Sequence, residues 1–237
     1  MNPASDLGWP QGFVVYREAD LKARQLVVGV FTHYLSGALT SLNRAVRFLQ
    51  IETPMLTPRP LLAGHEATGF DLVRAGFAKH GHADMLLRPE TTAGTYAAFR
   101  AIWPMEPERK KQMPIVLWQF GKSFRDEQAR PMAELRFREF YQLEYQLFFS
   151  PETKADYFGA CVTATVEATS RLCGGGSVRP VSVFGAELAH YAESTTDIMV
   201  GEIEVAAISL RKDFEGARVV EVSVGLDRLT ALQRIIA

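Results

Sequence analysis

The sequence predicts an α+β domain, a mainly antiparallel β-sheet with helices packed against it. Apolar segments of strand length recur along the chain, and stretches with three- and four-residue apolar spacing flank them. The returns between strands are too short for repeated helical crossovers, which argues against a parallel sheet. No repeat, low-complexity block or linker interrupts the 237 residues, so one domain over 1–237 is expected.

The elements follow in order. A segment carrying Gly8, Trp9, Pro10 and Gly12 opens the chain. Apolar periodicity predicts a long helix from Leu21 to Leu49, with Gly37 as the place for a break. Phe48 to Thr53 then reads as a short strand closed by Pro54. A strand at Met85 to Arg88 is closed by Pro89, and Thr91 to Trp103 reads as helix. Pro114 to Phe120 is a nearly continuous apolar run suited to a buried strand. From Phe140 to Phe149 the pattern alternates. Tyr141, Leu143, Tyr145, Leu147 and Phe149 share one face; Phe140, Gln142, Glu144, Gln146 and Phe148 share the other. That second face is polar enough in its middle to line a cleft. Phe158 to Cys173 is an amphipathic helix stopped by Gly174-Gly175-Gly176. Strands are expected at Val181–Phe184, Glu202–Leu210 and Val219–Val224, and a last helix starts near Leu226.

Composition excludes several classes. Lys+Arg 26 against Asp+Glu 27 leaves a formal charge of -1, so there is no global basic bias of the kind an extended nucleic-acid binder shows. The run Arg109-Lys110-Lys111 leaves room for a local patch. No apolar run reaches membrane-spanning length, and the N-terminus lacks the charged and apolar regions of a signal peptide. Cys161 and Cys173 have no CxxC spacing, so a reducing, cytoplasmic setting without disulfides or a cysteine metal site is expected. His65, His80 and His82 lack acidic or cysteine partners at ligand spacing and read as loop residues. Gly174–Gly176 lacks the Lys-Ser/Thr of a phosphate loop.

The chemistry concentrates in three clusters. Phe124-Arg125-Asp126-Glu127, eight further residues, then Arg136-Phe137-Arg138-Glu139-Phe140 would join two strands by a loop bearing arginines. Planar guanidinium groups pair bidentately with phosphate oxygens, and an aromatic at the start of the return strand can stack on a purine. Alone, such a cluster reads more simply as a solvated hairpin with i,i+2 charge pairs. The second cluster, Glu221 to Arg228, puts Glu221 and Ser223 on one strand face, with Gly225 admitting a ligand to the backbone and Arg228 in a helix's first turn. The third is Leu87 to Gly94. Each is weak singly; the three together are specific.

Together they resemble the catalytic core of glycyl-tRNA synthetase, a class II aminoacyl-tRNA synthetase. The family's R-P-E-T-A-Q-G matches Arg88 to Gly94 except at Thr92 and Ala93. Its F-R-N-E, loop, R-V-R-E-F matches Phe124–Glu127 and Arg136–Phe140, and its E-P-S-F-G-L-G-R matches Glu221–Arg228. Thr53-Pro54-Met55-Leu56 resembles the first class II motif, whose proline lies at a dimer interface. Glu187 to Thr195 resembles E-I-V-G-C-A-D-R-S, with only Glu187 and Ala192 identical. Val222, Asp227 and Ser194 depart from the family's proline, glycine and arginine. The family's anticodon-binding domain and the long insertion before its third motif have no counterpart in these residues.

The resemblance implies a class II synthetase-like fold and ATP-dependent activation of glycine, or another small amino acid, as its adenylate, with Mg2+ on the phosphates. Arg125 would hold the α-phosphate and the substrate carboxylate, Phe140 and Arg228 would flank adenine, and Arg136 or Arg138 would reach the outer phosphates. Glu127 would help place the nucleotide. Glu187 or Glu221 would serve as metal ligands. Glu90, Glu144, Glu221 and Ser223 would surround the substrate ammonium. A homodimer through Pro54 is implied too. The acceptor stays open between the acceptor end of tRNA, a carrier protein and a small-molecule amine. A non-catalytic accessory subunit is the third alternative.

Overall fold

The computed structural model describes residues 2–3, 12–62, 72–73, 84–102, 112–126, 135–174 and 177–236. The segments with Trp9, His65, His80, His82, Lys110, Glu127 and Gly175 lie outside the described residues. In chain order, β1 (Asn2–Pro3) pairs with β2 (Val14–Val15), and α1 (Glu18–Leu42) follows. Next come β3 (Arg47–Gln50), β4 (Leu56–Pro58), β5 (Met85–Leu87) and α2 (Thr92–Ile102). The second half holds β6 (Ile115–Phe124), β7 (Glu139–Phe149), α3 (Tyr157–Cys173), β8 (Val178–Val183), β9 (Ala192–Val200), β10 (Ile203–Arg211), β11 (Arg218–Gly225) and α4 (Leu226–Ile236).

Seven strands form the main sheet in the order β3-β6-β7-β11-β10-β9-β8. Every pair is antiparallel except β3–β6, as the short returns predict. One face carries the main core. Leu143, Tyr145, Leu147 and Phe149 of β7, with Val220, Val222 and Val224 of β11, pack against α1, α3 and α4. In α1 the buried residues Val27, Phe31, Leu35 and Leu39 recur every four positions, a stripe aimed at the sheet. The helix runs unbroken through Gly37, whose position is exposed and costs only propensity. It stops at Asn43, earlier than expected, because Arg47–Gln50 is taken into the sheet beside β6. Helix α3 ends where the sequence places its stop, at Gly174 with φ 77, a left-handed turn that favours glycine.

The opposite face is divided. At one end Tyr96 and Phe99 of α2 cover Ile115, Leu117, Phe148 and Val219, joined by Phe214. Phe99 stacks on Phe148 at 3.9 Å between ring centroids. Beyond α2 the same face turns polar, with Gln119, Glu144, Gln146 and Glu221 on it. Strand β9 was not expected from the sequence, since Ser-Thr-Thr-Asp hides its alternation. It forms a hairpin with β10 through a turn at Gly201–Glu202, where the sequence had suggested a strand beginning.

Phe99 is fully buried and anchors α2 to the sheet. Phe99→Ala is expected to lower unfolding stability by about 3–5 kcal/mol in urea denaturation. A loss below about 1 kcal/mol would mean that α2 is not held by this contact.

Candidate active site

Register builds the polar face row by row. Gln119, Glu144, Ser223 and Ala207 lie side by side across β6, β7, β11 and β10. The neighbouring row runs Leu117, Gln146, Glu221 and Ser209. Side chains opposite one another on an antiparallel sheet stand on the same face, so Glu144 and Glu221 come close although far apart in sequence. The first turn of α2 lies on top of them. Thr92 Oγ1 donates to Glu221 at 2.6 Å, and Thr91 donates to Glu144 through both its hydroxyl and its amide. Gln146 Nε2 bridges the two carboxylates at 3.1 and 3.3 Å.

A third carboxylate, Glu90, precedes this turn and is 5% exposed. The backbone carrying it is set by Arg88, whose buried guanidinium donates to Thr53 O at 2.8 Å and Lys122 O at 2.9 Å. Gly121 makes room for Arg88; a Cβ there would collide with the guanidinium. Thr53 and Thr95 both bond Gln119, closing the lock between the segment after β3, α2 and β6.

The cation that answers these acids is Arg211, at the end of β10. Its guanidinium reaches both oxygens of Glu221 at 3.0 and 2.9 Å and Asp213 at 2.7 Å, and lies 3.7 Å from Glu90. It sits 3.9 Å over the Tyr191 ring. Burial alone would lower its pKa, but Glu221, Asp213 and Glu90 outweigh this and hold it well above the ordinary value.

Next to this cluster opens a cavity of about 190 Å³. Its lining brings together Glu90, Arg125, Arg136, Phe140, Glu221, Ser223 and Arg228. Arg125 donates to Pro89 O at 3.1 Å, lies 3.9 Å from Glu90, and stands 5.3 Å over the Phe140 ring. Arg228 donates to Glu204 O at 2.6 Å.

Other expected residues stand elsewhere. Glu144 is 1% exposed and lies beneath Thr91 rather than in the lining. Arg138, which precedes β7, is outside the cavity lining and pairs with Asp126, and its amide donates to Gly12 O. Glu187 is exposed on a single 3-10 turn between β8 and β9. Glu127 lies outside the described residues.

Glu187 or Glu221 was the expected carboxylate ligand for magnesium. Of the two, Glu221 lines the cavity and Glu187 does not. Among the described residues no three His, Cys, Asp or Glu side chains group to hold a metal ion.

Glu204, Tyr191 and Gln142 also line the cavity. Gln142 was on the face expected to line a cleft, whereas Glu204 and Arg211 were missed. Their signal was nonetheless present: they are seven residues apart, the Glu-to-Arg spacing of the stretch matched instead to Glu187–Thr195.

Residues 76–221 match the family model of the tRNA synthetase class II core domain (G, H, P, S and T), and the chain belongs to that family. It is 33% identical over 135 residues to the glycine--tRNA ligase of Mycoplasma mycoides, covering 54% of this chain and 29% of that one. To the glycine--tRNA ligase of Mycoplasmopsis synoviae it is 31% identical over 173 residues, covering 60% and 37%. The chain thus spans about a third of these curated relatives. Prolyl-tRNA synthetase from Cryptosporidium parvum, complexed with halofuginone and AMPPNP, superposes with a TM-score of 0.73 over 94% of this chain and 47% of that one. Prolyl-tRNA synthetase of Giardia lamblia, in complex with prolyl-adenylate, gives 0.72 with the same shares. Both are 15% identical to this chain and share its fold.

Burial, then the charges of Glu221 and Glu90, push the Glu144 carboxyl up to about 7, while bonds from Thr91 and Gln146 pull it down. Between the ordinary carboxylate value of 4.5 and about 7, the folded chain therefore keeps a proton that the unfolded chain has released. The stability this site contributes is full below that window and is lost as pH rises through it. The urea midpoint is expected to fall from pH 5 to pH 8, and Glu144→Gln to flatten the decline. The same slope in both proteins would contradict this environment for Glu144.

Proposed function

We propose that the chain activates glycine with ATP, releasing pyrophosphate and forming glycyl-adenylate, and then passes the glycyl group to the acceptor end of tRNA. The observation that carries this reading is one cavity whose wall holds both carboxylates and guanidinium groups. Its lining includes Glu90, Glu221 and Ser223 together with Arg125, Arg136, Phe140 and Arg228. The glycine--tRNA ligase relatives support the choice of amino acid and of tRNA.

The reaction needs no protein nucleophile. A glycine carboxylate oxygen attacks the α-phosphorus, the bond to the bridging oxygen breaks, and its electron pair leaves with pyrophosphate. Acceleration then rests on positioning and on charge stabilisation in a site that excludes water. Arg125 is suited to hold the α-phosphate and the attacking carboxylate together, because its fork can serve two anions. Arg136 is suited to the departing phosphates. Phe140 and Arg228 offer an aromatic face and a planar cation to adenine.

The acids select the amine. Glu90 and Glu221 are almost wholly withdrawn from water, so a substrate ammonium between them replaces lost solvation. A methyl group pressed on desolvated carboxylates gains nothing and displaces that solvation, so alanine is rejected. Glu144 supports this selection from below, through Thr91 and Gln146.

The wild-type protein is expected to catalyse glycine-dependent exchange of labelled pyrophosphate into ATP, and Arg125→Ala to reduce it by at least about a hundredfold. Labelled glycine should enter a product destroyed by ribonuclease. Exchange without such a product would move the acceptor to a carrier protein or a small amine. Absence of exchange with any small amino acid would refute the activation chemistry.

A further inference from the structure

Asp227 stands where the resembling family's third motif has glycine, and it is 2% exposed. Its Oδ2 accepts from the Tyr16 hydroxyl at 2.6 Å and from the Tyr141 amide at 2.9 Å. Its Oδ1 lies 3.7 Å from Arg24 Nη2, an ion pair without a hydrogen bond. The Arg24 guanidinium stands 3.5 Å over the Tyr141 ring and 4.4 Å over the Tyr16 ring, and these rings meet edge to face at 5.6 Å. Contacts this short between a cation and aromatic faces are attractive, more so when desolvated. One carboxylate thus ties together the segment before α1, α1 itself, the start of β7 and the first turn of α4.

Its place along the chain matters more than its stability. Tyr141 directly follows Phe140, and Asp227 directly precedes Arg228. The Asp227–Tyr141 hydrogen bond therefore joins the backbone neighbours of the two residues proposed to flank adenine. Asp227 and Tyr141 are themselves in the cavity wall. A polar cluster that served only the core would have no reason to sit one residue from each side of the slot.

We propose that Asp227 is a positioning residue for the nucleotide: braced by Tyr16 and Arg24, it fixes the separation of Phe140 and Arg228 and so sets the width of the adenine slot. This rests on the reading that Phe140 and Arg228 flank the base. The phosphates are gripped by other residues, so the slot can be perturbed without disturbing them.

Calorimetric titration of the folded chain with ATP and with inorganic tripolyphosphate tests this. Asp227→Asn is expected to weaken ATP binding roughly tenfold, the loss of about one charge-assisted hydrogen bond, and to leave tripolyphosphate binding unchanged. Tyr16→Phe, which removes one brace far from the phosphates, should shift ATP in the same direction by a smaller factor. It decides the matter alone if Asp227→Asn does not fold. Unchanged ATP affinity in the folded variants, or equal losses for ATP and tripolyphosphate, would overturn the positioning role while leaving nucleotide binding intact. Failure of the wild-type protein to bind ATP would overturn the nucleotide reading and the positioning role with it.

Discussion

Glu90, Glu144 and Glu221 are each 5% exposed or less, and they share one end of a sheet face. Carboxylates withdrawn from water near one another repel strongly unless cations and donors compensate them. Arg211 is a buried cation of this cluster, its Nη1 donating to both oxygens of Glu221 and lying 3.7 Å from Glu90. Arg125 adds a longer contact to Glu90 from the cavity side. Burial, and then the neighbouring charges of Glu221 and Glu90, push the Glu144 carboxyl up. On the proposed reading, the substrate ammonium adds a further positive charge beside Glu90 and Glu221.

The fold supplies what this cluster needs. Antiparallel register sets Glu144 and Glu221 in adjacent rows, and α2 brings its first turn over them with two threonine hydroxyls and a backbone amide. The helix is seated by aromatic packing at its far end, where the same sheet face is apolar. One face therefore serves as a core under α2 and as a cavity floor beyond it. Behind the sheet, α1 contributes Arg24, so the helix that fills the main core also reaches the cavity wall.

Much of this was legible in the sequence because the underlying periods are strong. The alternation of Phe140–Phe149 separated the main-core face from the polar face, although Phe148 of the second packs under α2 and Tyr141 of the first reaches the cavity wall. The three motif blocks supplied Glu90, Arg125, Arg136, Phe140, Glu221, Ser223 and Arg228 to that wall. The exceptions have physical causes. β9 carries Ser, Thr and Asp on its faces and lost its strand signature. Glu187 and Glu204 could each begin the same short acidic pattern, and only the sheet register distinguishes the exposed one from the one in the cleft. Whether Glu144 faces a ligand or lies beneath one depends on Thr91 and Gln146, contacts across long separations that spacing cannot encode.

The dependence of the acid cluster on its buried cation is tested most directly by a double-mutant cycle in urea denaturation on Arg211→Met and Glu221→Gln. Arg211→Met alone should cost about 3–5 kcal/mol, because it leaves Glu221 buried without its partner. Adding Glu221→Gln should recover more than about 1 kcal/mol of that loss. Additive costs, agreeing within about 0.5 kcal/mol, would show that Arg211 does not hold the acids in place.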